Sequence, residues 1–124
     1  MRILVALAVA AVLVVDANAA RRPTPRERAQ IVLAVSNRVN SPVVVVIRVD
    51  RIVVSTVSPG PGAPFTRFAV AVASGRTALL GYYPSSKDWF VQSYGSKSAA
   101  CRLHPSRFGG RRAAILRDLG LACP

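Results

Sequence analysis

The sequence predicts an α+β fold: an N-terminal helix packed on a three- to four-stranded antiparallel sheet, with a short C-terminal helix tied by a disulfide. Three observations predict this arrangement. Apolar residues recur at helical spacing early in the chain, several β-forming segments are separated by short turns, and two cysteines bracket the last predicted helix. A length of 124 residues suits one compact domain rather than two.

The first 19 residues predict a secretory signal peptide. Met1-Arg2 gives a positively charged start, residues 3–15 are all apolar, and Asp16 to Ala19 supplies the small residues that a signal peptidase recognises. A membrane span needs about 20 apolar residues, so this run is too short for an anchor. We expect cleavage near Ala19-Ala20 and one secreted α+β domain over residues 20–124, without a membrane span.

The chain is strongly basic, with 17 Lys and Arg, 5 Asp and Glu, and a net charge of +12. An apolar content of 52% excludes a disordered tail, and only 8 glycines exclude a collagen-like chain. The length excludes a multi-domain enzyme. Fifteen of the 17 basic residues are arginine, whose planar guanidinium binds phosphate and carboxylate groups through paired hydrogen bonds.

Cys101 and Cys123 are the two cysteines of the chain. Paired thiols normally form disulfides in the oxidising compartment to which a signal peptide leads, so we expect a Cys101–Cys123 bridge. A metal pair and a catalytic thiol are the alternatives. Structural zinc takes four ligands, whereas His104 is the single histidine, and a secreted enzyme would have to keep its thiol reduced. We therefore expect no metal site and no cofactor.

Thr24-Pro25-Arg26-Glu27 predicts the start of the first helix. Thr24 and Glu27 form a capping box, in which each side chain accepts a hydrogen bond from the other residue's backbone, and proline suits the first helical position. The predicted helix runs from Pro25 to Asn37 and ends in the turn-forming residues 37–42. Its buried stripe is expected at Ile31, Val32, Val35 and Val39.

Residues 43–57 form the first predicted β segment, because 11 of these 15 residues are Val, Ile or Thr. Asp50-Arg51 interrupts the alternation. A hairpin turn and a bulge both fit there, and the bulge is preferred because neither residue is the glycine that tight turns favour. A loop at 58–64 precedes strands at 68–73, 77–83 and 89–94, which short turns connect into an antiparallel meander.

The strand at 68–73 alternates larger apolar residues with alanines, so the two sets face opposite sides of the sheet. The first helix is expected to cover one side, which leaves Gln92, Ser93 and Arg67 for a solvent-facing side. The chain then loops past Cys101 and becomes helical from about Gly110 until Gly120 ends the helix.

The sequence contains no pattern of catalytic residues, so the protein is predicted not to be an enzyme. It has no P-loop, no glycine-rich dinucleotide turn and no Gly-x-Ser-x-Gly elbow. Among the acids after residue 19, Glu27 belongs to the capping box, Asp88 to a turn and Asp118 to a short helix, and Asp50 stands alone. A small secreted hydrolase such as a ribonuclease, using His104 and Glu27, is an alternative that the spacing does not support.

The chain resembles uncharacterised small secreted proteins of high-GC Gram-positive, actinobacterial-type bacteria. The residues that carry the resemblance are the strand-forming 51–57, the segment Trp89-Phe90-Val91-Gln92-Ser93-Tyr94-Gly95, and residues 115–124 with their cysteine. The resemblance covers most of the chain after residue 19, and its specific part is the Trp–Cys–Cys ending. It implies secretion, the disulfide and the helix-plus-sheet fold, and no site residues. The arginine-rich insertion between the cysteines is longer than in that group.

The segment between Lys97 and Pro124 has six basic residues and one acidic side chain. We predict a secreted, basic, non-enzymatic module of the extracellular space or cell envelope. Its ligands are expected to be anionic polymers (cell wall, nucleic acid or glycan) or a protein partner. Arg107 and Arg111 are expected on one helix face, with Gly109-Gly110 giving a phosphate close access to the backbone. The predicted polymer-binding residues are Arg102, Arg107, Arg111 and Arg112.

The basic charge and the loops also fit two alternative hypotheses. In the first, the arginines serve only to keep the protein in solution. In the second, which is the main functional alternative, the protein is a secreted protease inhibitor that presents the loop at 58–64 or the loop at 96–108 to its target.

Overall fold

The computed structural model describes residues 20–40, 46–121 and 123. It confirms the α+β class: a helix precedes one antiparallel sheet with strand order β1-β2-β3-β4, and a disulfide joins Cys101 to Cys123 beside a short last helix. The elements in chain order are α1 (Pro25–Asn40), β1 (Arg51–Val54), β2 (Arg67–Ala73), β3 (Arg76–Tyr83), β4 (Asp88–Gly95), a first 3₁₀ helix (Lys97–Arg102), a second 3₁₀ helix (Pro105–Phe108) and α2 (Arg112–Asp118).

Two predicted features lie outside the described residues, namely the signal peptide at 1–19 and the start of the β segment at 43–45. Within the described ranges, no helix has the length and apolar character needed to cross a membrane.

Helix α1 begins at the predicted capping box. The Thr24 amide donates to Glu27 Oε1 over 2.9 Å, and the Glu27 amide donates to Thr24 Oγ1 over 3.1 Å. The helix extends three residues beyond the prediction, to Asn40, because neither Asn37 nor Arg38 breaks a helix and a cation in the last turn is favourable there. Ile31 and Val35 are fully buried, whereas Val39 is 41% exposed, so the predicted stripe is one turn too long.

Strand β1 is shorter than predicted, with only Arg51–Val54 in the sheet. Its register with β2 is continuous from Arg51↔Val72 to Val54↔Ala69. The Asp50 amide also donates to the Val72 carbonyl oxygen over 2.8 Å, so Asp50 and Arg51 both lie opposite Val72 at the position predicted for the bulge. The alternative hairpin is not seen there. The length of β1 is limited by its partner strand, because β2 ends at Ala73 and turns directly into β3. Before β1 the chain follows α1 instead, where the Ile47 amide donates to Ser36 Oγ over 3.0 Å.

Strands β2 and β3 form a tight hairpin through Ser74 and Gly75, which both have positive φ. Such a two-residue turn twists in the same sense as the strands it joins. Strand β4 pairs with β3, and its register shifts between Leu79 and Leu80 because Gln92 is an extra residue on β4. This bulge has no signal in the sequence, since Gln92 continues the strand pattern without a glycine.

Both faces of the sheet are covered, which the sequence did not predict. The alanines of β2 pack with α1, Ile52 and Trp89, as expected from the alternation. On the other face Phe68, Val70 and Leu79 pack with Phe108 and with α2. The expected solvent-facing side is therefore wrong, because the C-terminal segment forms a second layer over it. Arg67 lies on the α1 face, 3.6 Å from Glu27 Oε2.

Candidate anion-binding site

The segment that holds the predicted arginines is anchored to the sheet at several points. The Phe108 ring stacks on Phe68 with centroids 4.6 Å apart. At the end of α2, the Asp118 carboxylate accepts hydrogen bonds from Ser55 Oγ at 2.8 Å and from the Thr56 amide at 2.7 Å. Together with the disulfide, these contacts fix residues 101–118 against β1 and β2.

Arg107 lies in the second 3₁₀ helix and reaches across to β4. His104 is the N-cap of this helix, where its Nδ1 accepts a hydrogen bond from the Ser106 amide at 3.1 Å, and Pro105 occupies the first helical position. The Arg107 guanidinium donates to Gln92 Oε1, on the bulged residue of β4. The side chain is exposed, so its remaining N–H donors face solvent.

Arg111 and Arg112 each donate to a backbone carbonyl. Arg111 Nη1 lies 2.9 Å from the Ser58 carbonyl oxygen, and Arg112 Nη1 lies 2.8 Å from that of Leu103. Leu103 follows Arg102 directly, so the Arg112 contact brings α2 beside the end of the first 3₁₀ helix. Arg102 is exposed, and its side chain makes no hydrogen bond or ion pair with another described residue. We call Arg102, Arg107, Arg111 and Arg112 the C-terminal basic surface.

Two expectations about this surface are wrong. Arg107 and Arg111 do not share a helix face, because α2 begins only at Arg112. Gly109 does not offer its backbone to a ligand, because it packs on the loop at 58–64, and a Cβ on Gly109 would overlap the Gly60 carbonyl group. Of these two glycines, Gly110 alone has open space where a side chain would project.

The positive charge of the described chain is largely unpaired. Sixteen Lys and Arg and four carboxylates fall in the described ranges. Ion pairs within 4 Å involve only three of these cations, namely Arg21, Arg48 and Arg67. None of the four arginines of the C-terminal basic surface is among them. The carboxylate nearest to them in the sequence, Asp118, accepts hydrogen bonds from Ser55 and Thr56 and forms no ion pair with any of the four.

Each described carboxylate has a structural contact. Asp88 Oδ1 accepts from the Trp89 amide at 2.9 Å, Asp50 pairs with Arg48 on the surface, and Asp118 holds α2. Hydrogen bonds from Arg21 hold the pKa of the Glu27 carboxyl at about 2, against the raising effect of burial. The same pairing raises the pKa of Arg21. In the part of the chain described, no group of three or more His, Cys, Asp or Glu residues could hold a metal ion.

Sequence reasoning missed a second basic cluster at the start of α1. Arg21, Arg26, Arg67 and Lys87 line one cavity there, beside Tyr82. These residues lie up to 66 positions apart in the chain, and only the pairing of β3 with β2 and the packing of α1 bring them together. A short-range motif search has no signal for such a cluster.

No protein-family model, curated protein or solved structure matches the chain. The resemblance to secreted proteins of high-GC Gram-positive bacteria therefore stays a prediction.

Proposed function

We propose that the protein is an exported, non-enzymatic module that binds anionic polymers through the C-terminal basic surface. The observation that carries the proposal is the unpaired charge: four arginines within residues 102–112 have no carboxylate within 4 Å among the described residues. Unpaired surface arginines attract phosphate and carboxylate groups over a distance set by the salt concentration.

The proposal is supported by the way these arginines are held. Arg107, Arg111 and Arg112 each use one hydrogen bond to the protein's own chain, and a guanidinium has five N–H donors. The internal bond restrains the side chain while most donors stay available. Since less side-chain entropy is lost on binding, such a restrained surface binds more tightly than a flexible one of equal charge.

Export is supported by the disulfide, which is typical of oxidising compartments, and by the signal-like residues 1–19. Intact-mass measurement on protein from culture medium tests it. A mass matching residues 20–124 less two hydrogens is expected, and a full-length species retained in the membrane would contradict export.

The non-enzymatic character is supported by the roles of the polar groups. Glu27 caps α1, Asp118 anchors α2, Asp88 accepts from the Trp89 amide, and His104 caps the second 3₁₀ helix. A general acid or base needs a position facing a substrate, and these four side chains accept hydrogen bonds from the backbone instead.

The test is binding of heparin and of cell-wall teichoic acid by matched variants. Arg107→Gln, Arg111→Gln and Arg112→Gln together should weaken binding roughly ten- to a hundred-fold at low salt. Arg22→Gln, Arg28→Gln and Arg38→Gln together remove the same charge from exposed positions before and on α1. Equal losses for the two triple variants would show that net charge, not the C-terminal basic surface, determines binding.

A protease inhibitor is a second candidate, favoured by one observation. The loop at 58–64 is rigidly supported, because the Gly60 amide donates to the Phe108 carbonyl over 3.0 Å and Arg111 holds Ser58. The other candidate loop, 96–108, is mostly 3₁₀ helix, and its backbone is extended at Ser96, Leu103 and His104 between the helices. Stoichiometric inhibition of a secreted protease by the intact protein would favour this candidate.

A further inference from the structure

A cavity of about 360 Å³ lies beside the first turn of α1. It is on the α1 face of the sheet, opposite the face that α2 and the C-terminal basic surface cover. Four cationic side chains and one carboxylate, Glu27, line it together with Thr24, Gln30 and Tyr82. Four positive charges against one negative leave the lining strongly positive.

Glu27 neutralises mainly Arg21. Its two oxygens accept from Arg21 Nη1 at 2.7 Å and Nη2 at 2.8 Å, and Oε1 also accepts from the Thr24 amide. Arg67 Nη1 lies 3.6 Å from Oε2, which is too far for a hydrogen bond. Arg26 and Lys87 are exposed and have no ion pair with a described residue.

Arg67 is the residue most suited to bind a ligand in this cavity. Its guanidinium lies 4.4 Å from the centroid of the Tyr82 ring and 5.9 Å from that of Trp89, so stacking fixes the plane of the group. Its side chain is 42% exposed. It donates no hydrogen bond to any described residue, and its buried Nε has no acceptor. A partly buried guanidinium whose donors are unused is stabilised by an incoming oxyanion.

We propose that this cavity binds the phosphate group of a small phosphate monoester, with Arg67 donating from its exposed nitrogens and with Arg26 and Lys87 supplying charge. A dianion matches the surplus positive charge better than a carboxylate or a phosphodiester, which carry one charge each. The volume lies in the range of small-ligand sites, about 300–1,000 Å³. The capping box already occupies amides of the first turn of α1, so side chains rather than the helix end hold the ligand.

Calorimetric titration with methyl phosphate, dimethyl phosphate and acetate tests the proposal. Methyl phosphate should bind at least about ten-fold more tightly than either monoanion. Arg67→Gln should weaken its binding about ten-fold or more. Arg67→Lys should also weaken methyl phosphate binding, because lysine keeps the positive charge but lacks the paired N–H donors of the guanidinium. Lys87→Gln, at an exposed turn position, should weaken binding without disturbing the core.

Arg117→Gln, at an exposed position of α2 on the opposite face and in neither proposed site, is the matched control and should leave methyl phosphate binding unchanged. The proposal is overturned if the wild type shows no saturable binding. It is also overturned if the Arg67 and Lys87 variants bind like the wild type, or if Arg117→Gln weakens binding as much as Arg67→Gln does. Failure of this proposal leaves the polymer-binding proposal standing, because that proposal concerns the other face and is tested with variants of Arg107, Arg111 and Arg112.

Discussion

Arg112 Nη1 lies 2.8 Å from the carbonyl oxygen of Leu103, so the first residue of α2 is bonded to the chain just beyond the first 3₁₀ helix. This hydrogen bond closes the segment 103–112 as a short loop inside the larger loop of the disulfide. Arg112 thus links α2 to the first 3₁₀ helix and also adds positive charge to the C-terminal basic surface.

Reducing the Cys101–Cys123 disulfide should destabilise the protein by about 3 kcal/mol, as expected for a bridge that closes a loop of this size; the two cysteines are 22 positions apart. Each lost kcal/mol lowers the melting temperature by roughly 4–8 °C in a domain of this size. Thermal melts with and without reductant measure the effect. If both thiols can be labelled in native exported protein, the bridge is absent.

Glu27 should make stability depend on pH in the acid range. Its pKa is about 2 in the folded protein and about 4.3 in an unfolded chain. A depressed folded pKa contributes stability that is fully present above the unfolded value and is lost as the pH falls through the folded value. The loss is therefore expected between about pH 5 and pH 2 and should be on the order of 2–3 kcal/mol.

Chemical denaturation of the wild type and of Glu27→Gln at pH 7, 4 and 2.5 checks this prediction. The variant should be less stable at pH 7, and the difference should shrink at pH 2.5 because the wild-type carboxyl then loses much of its charge advantage over the unfolded chain. A pH-independent difference between the two proteins would show that Arg21 and Glu27 do not interact as described.

Asp118 should be more important for stability than an exposed acid. Asp118→Asn weakens charge-assisted hydrogen bonds from Ser55 and Thr56, so a loss of about 1–3 kcal/mol is expected. Asp50→Asn removes only a surface pair with Arg48 and should cost less than about 1 kcal/mol. Urea denaturation of both variants gives the comparison, and equal losses would contradict the anchoring role of Asp118.

Gly109 and Gly110 form a second matched pair. Both have positive φ, 59° and 82°, so an alanine is strained at either position by about 1–2 kcal/mol. Only at Gly109 would the new Cβ also overlap the Gly60 backbone. Gly109→Ala should therefore be less stable than Gly110→Ala by at least about 1 kcal/mol, and a similar stability of the two in denaturant would show that the loops do not pack as described.

The sequence predicts the elements that local patterns determine. Thr24 and Glu27 define the start of α1, and the alternation in β2 assigns its residues to two faces, because both signals depend on neighbours in the chain. The extent of β1 could not be predicted in this way, since it depends on where β2 turns at Ser74. The second layer was missed for a similar reason: the apolar residues of 97–108 are too few and irregular to show that Phe108 packs on Phe68.

The two candidate sites also differ in how much of each can be predicted from the sequence. The C-terminal basic surface is visible in the sequence because its arginines lie within 11 residues. The geometry of this surface cannot be read from the sequence, because the hydrogen-bond partners of its arginines come from three separate segments, at Gln92, Ser58 and Leu103. The cavity around Arg67 depends entirely on tertiary packing and could be found only in the folded protein.

The most direct test of polymer binding is the salt dependence of heparin affinity. Each contact with a polyanion releases counterions, so the slope of log affinity against log salt reports the number of contacts, at about 0.9 per phosphate for duplex DNA. Replacing Arg107, Arg111 and Arg112 by glutamine should reduce this slope by roughly two to three, while the triple variant at Arg22, Arg28 and Arg38 should keep the wild-type slope. Equal slopes for all three proteins would contradict binding through the C-terminal basic surface.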